Sequence, residues 1–235
     1  MTAAEIIAEI KPLGRDSLKN VILKHGVQEP CFGVKIEELK KIQKRIKTDY
    51  QLALDLYDTG IYDAMYLAGL IADDARMTKR DLTRWLAHPN SEPLIGSIVP
   101  WVAVGSSHGW ELALEWIDSE TDRVAAAGWT TLSCLVSIKR DAELDLPKLK
   151  QLLACVGKTI HAQTDNVRYA MNGFVIALGA YVASLTELAL QTAETIGTVE
   201  VDMGDTACRV PFAPDYIRKI QQRGTIGKKR KTVKC

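Results

Sequence analysis

One local pattern recurs along the chain: a hydroxyl residue, a carboxylate three residues later, and then apolar residues at helical spacing. Four pairs have the spacing of a capping box, which marks helix starts: Thr2 with Glu5, Thr78 with Asp81, Ser119 with Asp122, and Ser184 with Glu187. The clearest apolar run comprises Val167, Ala170, Met171, Phe174, Val175, Leu178 and Val182. This spacing puts one apolar stripe on a helix, so the stripe is predicted to face a core.

The rest of the chain also divides into short helical segments. Helices are predicted near residues 15–25, 34–47, 50–58, 61–73, 78–87, 106–117, 120–138, 144–156 and 185–196. Short Pro- and Gly-containing breaks separate them, and none is long enough to be a domain linker. The pattern predicts an all-α protein, either an α-solenoid of antiparallel helical hairpins or a compact bundle.

Domain boundaries follow from the same pattern and from charge. Residues 197–214 lack a helical pattern and are predicted to form a short non-helical excursion. We predict a single domain over residues 1–222, because no linker interrupts it. Residues 223–235 are predicted to form a basic C-terminal tail.

Composition limits the class of protein and its cofactors. Hydrophobic residues make up 47% of the 235 positions, which is ample for a continuous core. No stretch reaches the roughly 18 apolar residues that span a bilayer. The five cysteines lack paired spacing and the four histidines form no i, i+4 pair, so disulfides and a zinc site are not expected. We expect a monomeric cytoplasmic protein, nucleoid-associated if bacterial, without metal, cofactor or membrane partner.

Positive charge is unevenly distributed, although the net charge is only +1. The helix over residues 34–47 is predicted to bury Ile36, Leu39, Ile42 and Ile46 and to leave Lys40, Lys41 and Lys44 on its flanks. An ordinary solvated face is the alternative interpretation. From Arg209 onward Asp215 is the only acidic residue, against a basic run at residues 228–231. Such a tail suits phosphate, and a solubilising tail or targeting signal is the alternative.

Several separated segments resemble one known family. Asn20–Ile42, with Phe32–Lys35 inside it, resembles the N-terminal segment of the AlkD-like DNA alkylation repair family, in the HEAT-like repeat DNA glycosylase superfamily. The likeness continues through residues 56–68 and 77–85 and on to about residue 196. The resemblance implies a C-shaped solenoid of HEAT-like repeats whose concave basic surface holds duplex DNA. It also implies hydrolysis of the N-glycosidic bond of alkylated bases by an aspartate, a tryptophan and a second aromatic.

The sequence departs from that family pattern at the catalytic positions. Glu92 stands where the family has its tryptophan, and Gly96 stands where it has its aspartate. Phe174 matches the second aromatic and is the expected base-facing ring. Glu92 is the carboxylate to consider as a replacement, the alternative being a helix N-terminal carboxylate that precedes Pro93.

The leading hypothesis is a duplex DNA-binding protein that recognises damaged or unusual DNA and lacks the family's standard excision residues. Its predicted phosphate contacts are Arg123, Lys139, Arg140, Arg168, Lys40, Lys41, Lys44, Lys228, Lys229, Arg230 and Lys231. One alternative is an active alkylpurine DNA glycosylase that uses Glu92. The other is a helical-repeat scaffold that binds a protein.

Overall fold

The computed structural model describes residues 1–94, 96–204 and 206–234, and for residues 91–93 it describes the backbone only. These residues form helices and short 3-10 turns with no strand among them, which confirms the all-α prediction. The α-helices are α1 Ala3–Ile10, α2 Asp16–Lys24, α3 Ile36–Ile46, α4 Tyr50–Tyr57, α5 Tyr62–Ile71, α6 Lys79–Ala87, α7 Ile98–Gly105, α8 Gly109–Ile117, α9 Asp122–Ile138, α10 Leu146–Thr159, α11 Asp165–Tyr181, α12 Thr186–Ile196 and α13 Ala213–Gln222.

Helix packing divides the chain into two compact units. Unit 1 comprises Met1–His108 with Gly204–Thr206, and unit 2 comprises Gly109–Met203 with Ala207–Cys235. In unit 1, α5 packs against α3, α4 and α7. In unit 2, α9 packs against α8 and α11, and α11 also contacts α12 and α13. The single domain predicted over residues 1–222 stays a prediction.

Two of the predicted helix starts have the capping-box geometry. At α1, Thr2 N donates to Glu5 Oε2 (2.7 Å) while Glu5 N donates to Thr2 Oγ1 (3.3 Å). Thr78 and Asp81 exchange the corresponding bonds at α6. Each pair satisfies backbone donors that a helix end leaves without a partner, so these two predictions are confirmed.

The Phe32–Lys35 segment is held against the start of α5 in unit 1. The buried Asp63 carboxylate accepts the backbone N–H groups of Phe32 (2.6 Å) and Val34 (2.7 Å). Gly33 between them has a φ of 74°, and a Cβ there would lie 2.6 Å from the backbone nitrogen of Lys19. The segment therefore needs glycine at this turn and a carboxylate opposite it.

A second glycine sets the approach of α8 to α9 in unit 2. A Cβ at Gly128 would lie 2.7 Å from the backbone nitrogen of Ile117 and 3.0 Å from Ala113 O. Backbone atoms cannot yield as a flexible side chain does. We expect Gly128→Ala to destabilise unit 2 by about 1–3 kcal/mol, lowering the melting temperature by about 2–10 °C.

The matched control for Gly128→Ala is Gly173→Ala. Gly173 also lies inside a helix of unit 2, and a Cβ there would meet nothing within 4 Å. Alanine favours helix over glycine by about 0.8–1 kcal/mol, so this variant is expected to match or exceed the wild-type melting temperature. Equal melting temperatures for the two variants would contradict the close packing of α8 on α9.

Among the described residues, no single helix is both long and apolar enough to cross a membrane. The consecutive segments Asp165–Tyr181 and Ala183–Ile196 reach that hydropathy only when joined, across a bend of 115°.

Candidate nucleic-acid interface

The basic C-terminal segment packs on unit 2. Gly227 N donates to Ala180 O (2.9 Å), and Arg230 N donates to Ser137 O (2.8 Å). Val233 is buried. Because Ala180 and Ser137 lie in the last turns of α11 and α9, the segment satisfies carbonyl groups that lack an intrahelical partner. The basic tail predicted over residues 223–235 is thus held on unit 2 by backbone hydrogen bonds.

Lys229 belongs to this packing. Its Nζ donates to Val136 O (2.9 Å) and forms an ion pair with Asp141 (2.8 Å). The side chain is only 18% exposed. The Lys229 side chain therefore binds the C-terminal segment to α9 and to the turn that follows α9. The side chains of its sequence neighbours Lys228 and Arg230 form no such ion pair among the described residues.

Four other cations are brought together at the carboxyl end of α9. They are Lys139, Lys228, Arg230 and Lys231, which we call the C-terminal basic cluster. None of them has an ion pair within the residues that the structure describes. A cavity of about 300 Å³ beside the cluster is lined by Tyr181, Ile220, Thr225 and residues 228–230. Lys139 is half-buried and the other three are exposed, and cations arranged in this way can bind phosphate oxygens without reading bases.

The predicted arginine contacts of unit 2 are mostly engaged by the protein. Arg140 is exposed, and its Nε donates to Glu143 (2.7 Å). The Arg168 guanidinium donates to the backbone oxygen of Glu200 (2.8 Å), which fixes the non-helical excursion beside α11. Arg123 is half-buried in the first turn of α9. Their role as phosphate contacts stays a prediction.

In unit 1, α3 presents part of the predicted basic strip. Lys41 forms an ion pair with Glu38 (2.8 Å). Lys40 is half-buried and Lys44 is exposed, and neither has an ion pair in the described part of the chain. Ile36 was predicted to be buried and is 44% exposed, because it begins the helix at the edge of the unit 1 core. These lysines belong to unit 1, whereas the C-terminal basic cluster belongs to unit 2.

The replaced catalytic positions lie between α6 and α7. The backbone of Glu92 belongs to a 3-10 turn, and its side chain lies outside the described residues. Its role as a catalytic carboxylate stays a prediction. Gly96 is exposed, and a Cβ there would meet nothing within 4 Å. No carboxylate is therefore available from position 96 itself.

Phe174 does not face a base. Its side chain is fully buried, and its ring centroid lies 5.2 Å from that of Trp129 at an interplanar angle of 56°. The prediction of a base-facing ring is wrong because the apolar stripe of α11 directs Phe174 into the core of unit 2. Trp129 is 3% exposed and packs in the same core.

Metal and thiol chemistry have little support in the described parts of the chain. They contain no group of three or more His, Cys, Asp or Glu residues that could hold a metal ion. Burial, followed by the negative charge of Asp63, raises the pKa of the Cys31 thiol to about 11. Since the thiolate is the nucleophilic form, Cys31 stays protonated and unreactive near neutral pH.

Two exposed aromatic residues at the start of α13 were not predicted from the sequence. Phe212 and Tyr216 lie one helical turn apart and are 41% and 50% exposed. Lys219 and Arg223 continue the same spacing and are also exposed. The signal that could have found them is this i, i+4, i+7, i+11 series, which mixes rings with cations on a solvent face.

Comparisons with known proteins agree with this architecture. A solved structure from a new family of proteins related to the HEAT-like repeat DNA glycosylases, with affinity for branched DNA structures, is 33% identical, covers 100% of both chains and superposes with a TM-score of 0.93. Uncharacterized proteins of Listeria monocytogenes and Listeria innocua are each 28% identical over 228 residues, 95% of this chain and 99% of theirs.

The family model confirms the resemblance found in the sequence. The fold is an all-α arrangement of HEAT-like repeats, as that solved structure indicates. The model of the DNA alkylation repair enzymes matches residues 6–198, which is most of the chain. The protein belongs to the DNA alkylation repair family.

Proposed function

We propose that this protein binds duplex and branched DNA through the C-terminal basic cluster and does not excise bases in the manner of the family's enzymes. The cluster is the observation that carries the proposal, because it gathers cations from two distant parts of the sequence that form no ion pair with any residue the structure describes. Phosphate backbones are the polyanions that such a surface fits. Affinity for branched DNA in the similar solved structure supports the same partner.

The absence of excision is supported by chemistry at the replaced positions. Cleavage of an N-glycosidic bond develops positive charge on the sugar, and a carboxylate stabilises that charge and orients water. Gly96 supplies no carboxylate where the family's aspartate is expected. Phe174 is buried and cannot contact a cationic base. A protein with these residues keeps a DNA-binding surface without the catalytic pair.

The test combines binding and chemistry in one set of mixtures. A fluorescent linear duplex and a four-way junction are titrated with the full-length protein across a salt series, and release of methylated base is scored on an alkylated duplex. We expect log affinity to fall linearly with log salt concentration, with a slope set by the number of phosphates contacted. We also expect tighter binding of the junction and no base release.

The other outcomes identify the alternatives. Release of methylated base that is abolished by Glu92→Gln would establish a glycosylase with a replacement carboxylate. Absence of binding to either DNA at low salt would overturn the DNA-binding proposal and favour a protein-binding scaffold. Equal affinity for the linear duplex and the junction would remove the preference for branched DNA and leave the duplex proposal standing.

A further inference from the structure

Helix α13 has one face that packs and one that does not. Ala213, Pro214 and Ile217 are buried. Ile217 rests on α11 where Gly179 leaves room, since a Cβ at Gly179 would lie 2.7 Å from an Ile217 side-chain atom. The helix is thereby fixed to unit 2. Its opposite face is free to meet solvent or a partner.

That opposite face carries a regular series of four exposed side chains. Phe212, Tyr216, Lys219 and Arg223 follow each other at spacings of four, three and four residues, and we call them the α13 stripe. Tyr216 N donates to Phe212 O (3.2 Å), so the two rings lie one turn apart. At 1.5 Å per residue the stripe is about 16 Å long. Two aromatic residues stand at one end and two cations at the other.

A third exposed ring lies on the neighbouring helix. Asn172 Nδ2 donates to Pro211 O (2.8 Å), which holds the segment entering α13 beside α11. Tyr169, one turn before Asn172, is 45% exposed. Leaving several large rings in water forgoes the gain from burying them, so a surface of this kind indicates a partner.

Charge around the α13 stripe favours an anionic partner. Asp215 lies on the adjacent face of α13, and Arg218 forms ion pairs both with it (3.7 Å) and with Glu194. The single positive charge of Arg218 therefore offsets one of these two negative charges beside the stripe. Lys219 and Arg223 have no ion pair in the part of the chain that the structure describes. A partner that combines flat apolar faces with negative charge matches this surface.

Unpaired nucleotides have that combination. Each base offers a π-face that stacks on an aromatic side chain whatever its sequence, and each phosphate binds a cation. In a closed duplex the base faces are already stacked on one another, so only the unpaired bases at a branch or in a single-stranded arm are free to stack on protein. A peptide partner would need acidic groups at one end and apolar groups at the other.

We infer that the α13 stripe stacks unpaired bases at a branch point or single-stranded arm of DNA on Phe212 and Tyr216, while Lys219 and Arg223 hold the adjoining phosphates. This inference rests on the proposed function and specifies its substrate. It gives DNA with unpaired bases at a fork or in a single-stranded arm an advantage over linear duplex that phosphate contacts alone do not provide.

The experiment uses the full-length protein and a forked DNA with 2-aminopurine at an unpaired position beside the fork, compared with a linear, fully paired duplex. Wild-type protein is expected to change the 2-aminopurine fluorescence by stacking. Phe212→Ala and Tyr216→Ala are expected to abolish that change and to weaken fork binding about 5- to 100-fold each, with duplex affinity unchanged. Tyr216→Phe keeps the ring and is expected to retain both properties.

The matched control is Leu188→Ala, which truncates another exposed apolar side chain of unit 2, 39% exposed on α12. It is expected to bind both DNAs as wild type does. Unchanged fork binding and fluorescence in Phe212→Ala and Tyr216→Ala, with wild-type DNA binding intact, would overturn this inference alone. An equal loss on fork and duplex would also overturn it. Failure of the wild-type protein to bind either DNA would overturn the proposed function as well.

Discussion

Asp63→Ala is expected to destabilise unit 1 by about 3 kcal/mol or more, because it leaves two buried N–H groups without an acceptor. The carboxylate is 1% exposed and accepts from Phe32 N and Val34 N. Hydrogen bonds to a charged group are stronger than neutral ones. The expected fall in melting temperature, measured by thermal unfolding, is about 6–12 °C.

Two further variants separate this effect from loss of any surface carboxylate. Asp63→Asn keeps one acceptor oxygen and is expected to lose about half as much stability. Asp55 is an exposed carboxylate on α4, and among the described residues it accepts a hydrogen bond only from Gln51. Asp55→Ala is expected to change the free energy of unfolding by less than about 0.5 kcal/mol. Equal melting temperatures for Asp63→Ala and Asp55→Ala would show that Asp63 does not hold the Phe32–Lys35 segment.

Most helices could be predicted from the sequence because their apolar residues recur on one face. Helix α7 could not, since Ile98 through Val104 are buried on every side and the segment has no polar face to set a period. Helix α13 was missed for another reason. Its Pro214 and the irregular residues before it suggest a loop, although proline in the first turn is compatible with a helix.

Two helices begin at residues other than those predicted, because other local structure forms at the predicted caps. Ser119 does not cap α9. Its hydroxyl accepts from Thr121 N (3.1 Å), and the helix begins two residues later than predicted, at Asp122, with Thr121 as its N-cap. At the second site α12 begins at Thr186, after a 3-10 turn that contains Ser184. The capping-box spacing marked both regions correctly and the first residue of each helix incorrectly.

The functional residues were harder to predict than the helices because their exposure depends on tertiary packing. Family resemblance predicted that Phe174 contacts a base. Phe174 also belongs to the apolar stripe of α11, and its ring is buried in the core of unit 2. The C-terminal basic cluster depends on backbone donors such as Arg230 N reaching the end of α9. Backbone hydrogen bonds of this kind do not depend on residue type. The run of charges could therefore identify the basic segment but could not predict that it packs at the end of α9.

Neutralising the C-terminal basic cluster is expected to have the largest effect on DNA binding. Replacing Lys139, Lys228, Arg230 and Lys231 together by glutamine removes up to four phosphate contacts, so the slope of log affinity against log salt is expected to fall by about 3–4. At 0.1 M salt this corresponds to a loss of affinity on the order of 1,000-fold. These side chains form no ion pairs among the described residues, so the melting temperature is expected to change little.

The control distinguishes the position of these charges from their number. Replacing Lys11, Lys24, Lys150 and Lys158 by glutamine removes the same number of exposed positive charges from other surfaces. Both variants carry the same net charge, so general electrostatic attraction to DNA changes equally in the two. If the cluster contacts phosphate directly, the slope of log affinity against log salt falls only in the cluster variant. Equal losses of affinity in the two variants would show that DNA binding depends on the net charge of the protein. The C-terminal basic cluster would then not be the DNA-binding surface.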